Sequence, residues 1–279
     1  ISIIRVKRKG RKKMKGIDIS SHNGKVNFEQ VKQDGIDFVI IRAGYGKSTT
    51  QKDTYFETNY ENAVKSGLHV GAYWYSYAND ENEALQEAKC FYEVIKGKKF
   101  DYPVFLDIEE KYSQKNADSI VSNFCQFLES KGYFVGIYAS KSYFDNYISS
   151  KYKNSYAIWV AQWTGSCTYA GNYGLWQYSD KGKVNGVNGN VDLNECKYLY
   201  DIIIKSNHLN GYEKPEKQQN KMNRKTRFFT LLLSAVMSFS SLHAQQIDAP
   251  TISGVSSFAV IVEMMVLGYA IAWTQKGLF

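Results

Sequence analysis

Residues 102–109 read Tyr-Pro-Val-Phe-Leu-Asp-Ile-Glu, an apolar run that ends in two acids one residue apart. Side chains alternate across a β-strand, so Asp107 and Glu109 share one face with Cα atoms ~6.5–7 Å apart. Val104, Leu106 and Ile108 take the other face. In a parallel βα barrel the C-terminal strand ends form the active-site rim, so both acids would sit at its mouth. Neighbouring carboxylates do not all ionise easily, and one is pushed towards the range a general acid needs. Two carboxyl groups with separate roles are what glycosidic cleavage requires. An Asp-x-Glu pair also occurs as a solvated strand end, so the rest of the chain has to decide.

Two further acids stand at strand ends. Gly16-Ile-Asp18-Ile-Ser20 sets Asp18 between isoleucines, where a charge is costly unless it faces a polar pocket. Asn190-Val-Asp192-Leu-Asn194 supplies another near the end of the pattern. The first and last strands of a closed barrel are neighbours, so Asp18 and Asp192 would converge with Asp107 and Glu109.

The segments between follow a βα alternation. Strands are predicted at 16–20, 37–43, 68–77, 102–109, 133–139, 156–162 and 175–178, and helices at 27–33, 54–65, 81–95 and 117–130. Ile120, Phe124, Phe127 and Leu128 give the last helix an apolar face. Gly35, Gly67, Gly97 and Gly132 follow the helices as stop signals. Beyond about 155 no full helices separate the strands. The expected fold is α/β: an irregular TIM-like barrel of eight strands with incomplete helical cover, followed by a C-terminal hydrophobic extension.

Seven stretches together resemble glycoside hydrolase family 25, the Chalaropsis-type or phage-type lysozymes, over about 195 residues. They are Gly-Ile-Asp-Ile-Ser-Ser-His at 16–22, Phe-Val-Ile-Ile-Arg-Ala-Gly at 38–44, Gly-Ala-Tyr-Trp-Tyr-Ser-Tyr-Ala at 71–78, Phe-Leu-Asp-Ile-Glu at 105–109, Gly-Ile-Tyr at 136–138, Trp-Val-Ala-Gln-Trp at 159–163 and Leu-Trp-Gln-Tyr-Ser at 175–179. The resemblance implies an irregular barrel with eight strands and fewer helices. It implies hydrolysis of the β-1,4 bond between N-acetylmuramic acid and N-acetylglucosamine in peptidoglycan, with net retention. Carried over by motif, Glu109 is the general acid and then the base that activates water, and Asp107 orients the substrate 2-acetamido group. A direct nucleophilic role for Asp107 stays open. Asp18 and Asp192 would tune charge and bind sugar.

Tyr73, Tyr75, Tyr138, Trp163 and Trp176 lie on or beside strand ends and are candidate sugar-stacking residues, Tyr75 and Tyr138 foremost. Trp74 and Trp159 are assigned to the barrel–helix layer. Arg42 follows an apolar run and needs a partner there, for which an ion pair with one of the site acids is expected. A chitinase of the DxxDxDxE type is disfavoured, since Tyr102 and Phe105 stand where that motif has its first two aspartates. A non-catalytic peptidoglycan-binding or tail-associated structural module is the remaining alternative, and it has no need of Glu109.

The net charge of +8 is concentrated, with seven basic and no acidic side chains in residues 1–13. Residues 15–212 hold 21 Lys and Arg against 23 Asp and Glu, so no nucleic-acid-binding face is expected. Cys90, Cys125, Cys167 and Cys196 are widely spaced and expected to be free buried thiols. His22, His69, His208 and His243 show no ligand spacing, and neither a metal nor another cofactor is expected.

Four segments follow: a basic extension at 1–13, a catalytic barrel at 14–212 expected to be monomeric, a polar linker at 213–221 and a hydrophobic segment at 222–279. The last resembles a small pilin-like subunit of conjugative systems in layout. It begins with a basic stretch at 222–227 and an apolar one at 228–242, like a signal peptide set inside the chain, and its run at 255–273 is long enough to cross a bilayer despite Glu263. The expected partner is peptidoglycan glycan, met on the extracellular or periplasmic side. Residues 1–13 have no apolar core of a secretory signal. That would suit release through a membrane pore, as for a phage endolysin, or membrane anchoring through 222–279.

Overall fold

The computed structural model describes residues 13–213. Apart from Lys13 and Glu213, the expected basic extension at 1–13, the linker at 213–221 and the hydrophobic segment at 222–279 lie outside them. Among the described residues no helix is long and apolar enough to cross a membrane.

Eight strands close into a barrel in sequence order: β1 (Met14–Ile19), β2 (Phe38–Tyr45), β3 (His69–Tyr75), β4 (Val104–Asp107), β5 (Val135–Ser140), β6 (Ala157–Ala161), β7 (Leu175–Gly182) and β8 (Val191–Cys196). The helices are α1 (Phe28–Gln33), α2 (Phe56–Lys65), α3 (Glu81–Ile95), α4 (Ala117–Ser130), α5 (Lys141–Asn146), α6 (Ser150–Ser155) and α7 (Tyr200–Ser206). Helical cover thins after α4, as the sequence predicts, because α5 and α6 are only six residues each and no α-helix lies between β6 and β8. The predicted stop glycines adopt left-handed backbone, at φ 83° for Gly132, which satisfies the helix end at no steric cost.

Alternation along each strand sorts the core into two layers. Val39 and Ile41 on β2, Trp74 on β3, and Leu106 with Ile108 at β4 face outward and pack on Phe91 of α3 and Phe124 of α4. Phe38, Ile40, Phe105, Tyr138, Trp159 and Leu175 face inward and fill the barrel with Tyr102 and Tyr200. Phe38 stacks on Tyr102 with ring centroids 4.5 Å apart. Gly136 is needed for this filling, since a Cβ there would lie 2.3 Å from the Phe105 ring.

The last strand departs from a βα repeat. β8 runs antiparallel to both β7 and β1, while all other neighbours are parallel. The reversal decides where its acid falls. Asp192 is the second residue of β8, and a parallel strand would leave it at the barrel floor. Antiparallel pairing sets it opposite Asp18, near the C-terminal end of β1 and so at the mouth.

Candidate active site

Asp18, Asp107, Glu109 and Asp192 line one cleft of about 310 Å³ at the mouth, together with Arg42, Tyr73, Tyr75 and Tyr138. All four acids foreseen from sequence therefore meet. Their partners differ, and the differences give each carboxyl its character.

Asp18 is buried and fully engaged. Its Oδ2 accepts hydrogen bonds from Gln177 Nε2 at 3.0 Å and Asn194 Nδ2 at 2.7 Å. Those amides are themselves held: Gln177 Oε1 accepts from Tyr138 Oη and from Trp163 Nε1, both at 3.0 Å, and Asn194 Oδ1 accepts from Trp159 Nε1 at 2.7 Å. Burial raises the Asp18 carboxyl well above the usual aspartate range, the Asp192 charge raises it further, and the two amides pull the other way. Asp192 is also raised, chiefly by burial.

Asp107 is buried at 5% exposure, yet its Oδ1 has no hydrogen-bond partner. A carboxylate oxygen without partners is costly to enclose, so this atom is an acceptor waiting for a donor. Burial raises Asp107 well above its ordinary value, the charges of Glu109 and Asp18 add to the rise, and Arg42 opposes them. Glu109 lies exposed at the rim, although the protein around it removes enough water to raise its carboxyl; the Tyr75 hydroxyl opposes that rise. Tyr75 itself donates to Glu110 at 2.8 Å. The cleft thus holds a wet acid able to exchange protons beside a dry one on which a negative charge is costly.

Three sequence assignments need correction. Arg42 lines the cleft, but its ion pair is with Asp53, Nε to Oδ2 at 2.8 Å, and not with one of the four acids; its Nη2 also donates to Ser21 Oγ at 2.8 Å. It braces the turn after β1 and reaches Asp107 only through its charge. Trp176 is buried in the outer layer, its indole N–H donating to the Gln162 carbonyl at 2.8 Å, because strand alternation turns Leu175 and Gln177 inward instead. Trp159 was assigned to the outer layer and belongs to the inner one, where it lines the cleft with its ring centroid 4.5 Å from that of Tyr138.

Trp163 lies beyond the end of β6 and is 57% exposed, tied to the site through Gln177. Tyr73, Tyr75 and Tyr138 are where the sequence placed them. Of the thiols, Cys90, Cys125 and Cys196 are buried, whereas Cys167 is only partly covered. Among the described residues no group of His, Cys, Asp and Glu side chains is arranged to hold a metal ion.

Comparison with known proteins agrees with this geometry. The chain is 35% identical over 186 residues to the autolytic lysozyme of Clostridium acetobutylicum, a match covering 65% of this chain and 55% of that protein. It is 30% identical over 201 residues to lysozyme M1 of Streptomyces globisporus, covering 65% and 67%. The crystal structure of the bacterial lysozyme from Streptomyces coelicolor superposes with a TM-score of 0.59 at 28% identity, over 66% of this chain and 92% of that one. The sequence profile of Glycosyl hydrolases family 25 matches residues 17–187, which contain all of β1 to β7 except the first three residues of β1, and three of the four acids. This chain belongs to glycoside hydrolase family 25.

Proposed function

We propose that the chain is a muramidase, cleaving the β-1,4 bond between N-acetylmuramic acid and N-acetylglucosamine in peptidoglycan. The observation that carries this reading is the unpartnered Oδ1 of buried Asp107 beside a rim acid, Glu109, whose carboxyl is biased towards its protonated form. Family membership and the two lysozymes matched above support it.

In this mechanism Glu109 donates its proton to the leaving glycosidic oxygen. Asp107 Oδ1 accepts the N–H of the 2-acetamido group, which turns the acetamido oxygen towards the anomeric carbon. That oxygen attacks as the glycosidic bond breaks, giving a cyclic oxazolinium. Glu109, now a carboxylate, takes a proton from water as the water opens the ring, so the configuration is retained overall. Asp18 and Asp192 supply negative potential for the positive charge that develops on the sugar. The position of Asp18 is set by Gln177, Asn194 and, behind Asn194, Trp159. Tyr73, Tyr75 and Tyr138 form apolar walls for the sugar rings, and Trp163 lies where the next ring would pass. The barrel at 14–212 acts as a monomer on the wall side of the membrane. Membrane association through 222–279 rests on hydropathy alone, and carbonate extraction of cell membranes tests it.

The decisive experiment incubates the full chain and Glu109→Gln with purified peptidoglycan and identifies the new reducing ends by mass spectrometry. Muramic-acid ends are expected from the parent, with the variant slowed by roughly 10²–10⁴-fold. Cleavage by neither protein, with wall binding retained by both, would instead identify a non-catalytic binding module.

A further inference from the structure

Glu87 is an acid that the chemistry above leaves unused, and it is fully buried on α3. A charged side chain is almost never enclosed to this degree without a specific set of partners. Those partners lie in the turn that leaves β3. Its Oε2 accepts from Ser76 Oγ at 2.6 Å and its Oε1 from the Tyr77 backbone N–H at 2.8 Å. Ser76 is fixed in turn to β4, its N–H donating to the Asp107 carbonyl at 2.9 Å, and its Oγ accepts the Ala78 N–H at 3.2 Å. One carboxylate therefore clamps the two residues that follow Tyr75 and ties them to the strand that carries Asp107.

What the clamp holds is aromatic and packs against Tyr75, which lines the cleft. The Tyr77 ring is 43% exposed, 5.0 Å from Tyr75 and 6.1 Å, edge-on, from Tyr45. Without Glu87 the Ser76 hydroxyl and the Tyr77 N–H would lose their acceptor in a dry setting, and the turn would relax to find others. We propose that Glu87 is a positioning residue that, through Ser76 and the Tyr77 backbone, sets the Tyr77 ring and with it Tyr75, a wall of the sugar cleft. Burial pushes its carboxyl up to about 7, which fits an acid retained at a cost to stability.

The proposal rests on the cleft being a glycan site, and the test separates the two. Soluble peptidoglycan fragments are titrated calorimetrically into full-length chains: Glu109→Gln as the non-cleaving reference, the same chain with Glu87→Gln, with Tyr77→Ala, and with both. The amide of Glu87→Gln keeps the shape and one acceptor, so thermal stability should stay close to the reference. Affinity should fall by about fivefold, and the fall should largely vanish in the Tyr77→Ala background, since coupled residues are non-additive. Ser76→Ala should reproduce the loss and serves if Glu87→Gln does not fold. Unchanged affinity in the Glu87→Gln chain, a loss that adds in full to that of Tyr77→Ala, or a loss that merely follows a lowered Tm each overturns the proposal. If the reference itself binds no glycan, the reading of the cleft fails first and the proposal falls with it.

Discussion

Ionising Asp107 inside the barrel works against the fold. Burial and the neighbouring Glu109 and Asp18 raise its carboxyl above its unfolded value, so the native state binds the proton more tightly. The stability this contributes is present below the unfolded value and is lost as pH rises through the native one. Asp107→Asn removes the liability along with the carboxylate that holds and polarises the acetamido group. Calorimetry at pH 8 should show Tm raised by about 2–4 °C, the shift that 1 kcal/mol gives a domain of this size, with no gain at pH 3. Hydrolysis should be lost at both. The four acids were legible in the sequence because each stands in a short motif at a strand end. The residues that support them were not. The period of two does turn Trp159 inward, since Ile158 and Val160 on either side of it pack in the outer layer. Gln177 and Trp176 sit together in a run that is apolar on both faces, and only the buried partners Asp18 and Tyr138 decide which turns inward.

At the scale of elements, α3 has its own start signal. Asp80 Oδ1 accepts from the N–H groups of Asn82 and Glu83, both at 2.9 Å, at the end where the helix dipole favours a negative charge. Asp80→Ala should cost about 1 kcal/mol, seen as a lower midpoint in urea unfolding, with kcat essentially unchanged. The major helices and the first seven strands were readable because their periodicities are long enough to be distinct. Two features were not. Helices α5 and α6 are too short for a helical period to stand out. The direction of β8 has no sequence signature at all, since an alternating strand reads the same both ways, and only the requirement that Asp192 reach Asp18 distinguishes them.

For the whole molecule, the barrel is not finished at the last acid. Asn210 is fully buried beneath it, where Oδ1 accepts the Phe134 N–H at 2.6 Å and Nδ2 donates to the Tyr102 carbonyl at 2.8 Å and the Phe100 carbonyl at 3.3 Å. One amide thus joins the segments entering β4 and β5 to the end of the fold. Asn210→Ala should destabilise by about 1–3 kcal/mol in thermal unfolding, because it strands buried backbone groups. Residues 14–212 alone should match the full chain in hydrolysis per mole, whereas a chain ending at 199 should fail to give soluble protein. The inner packing explains the second outcome: Tyr200, Ile203 and Ile204 belong to the same buried cluster as Phe38 and Tyr102.

The reversed strand also governs how the barrel can be attached to anything else. β1 rises from the floor and β8 descends to it, with Met14 opposite Cys196 at the bottom, and the last described residues stay there, Tyr212 Oη donating to Asp101 at 2.7 Å. Both ends of the barrel therefore leave from the side opposite the cleft. Coupled to a bead or electrode through either end, the barrel presents its mouth to the medium, so a tether can be shortened at will without shading the cleft from an insoluble wall.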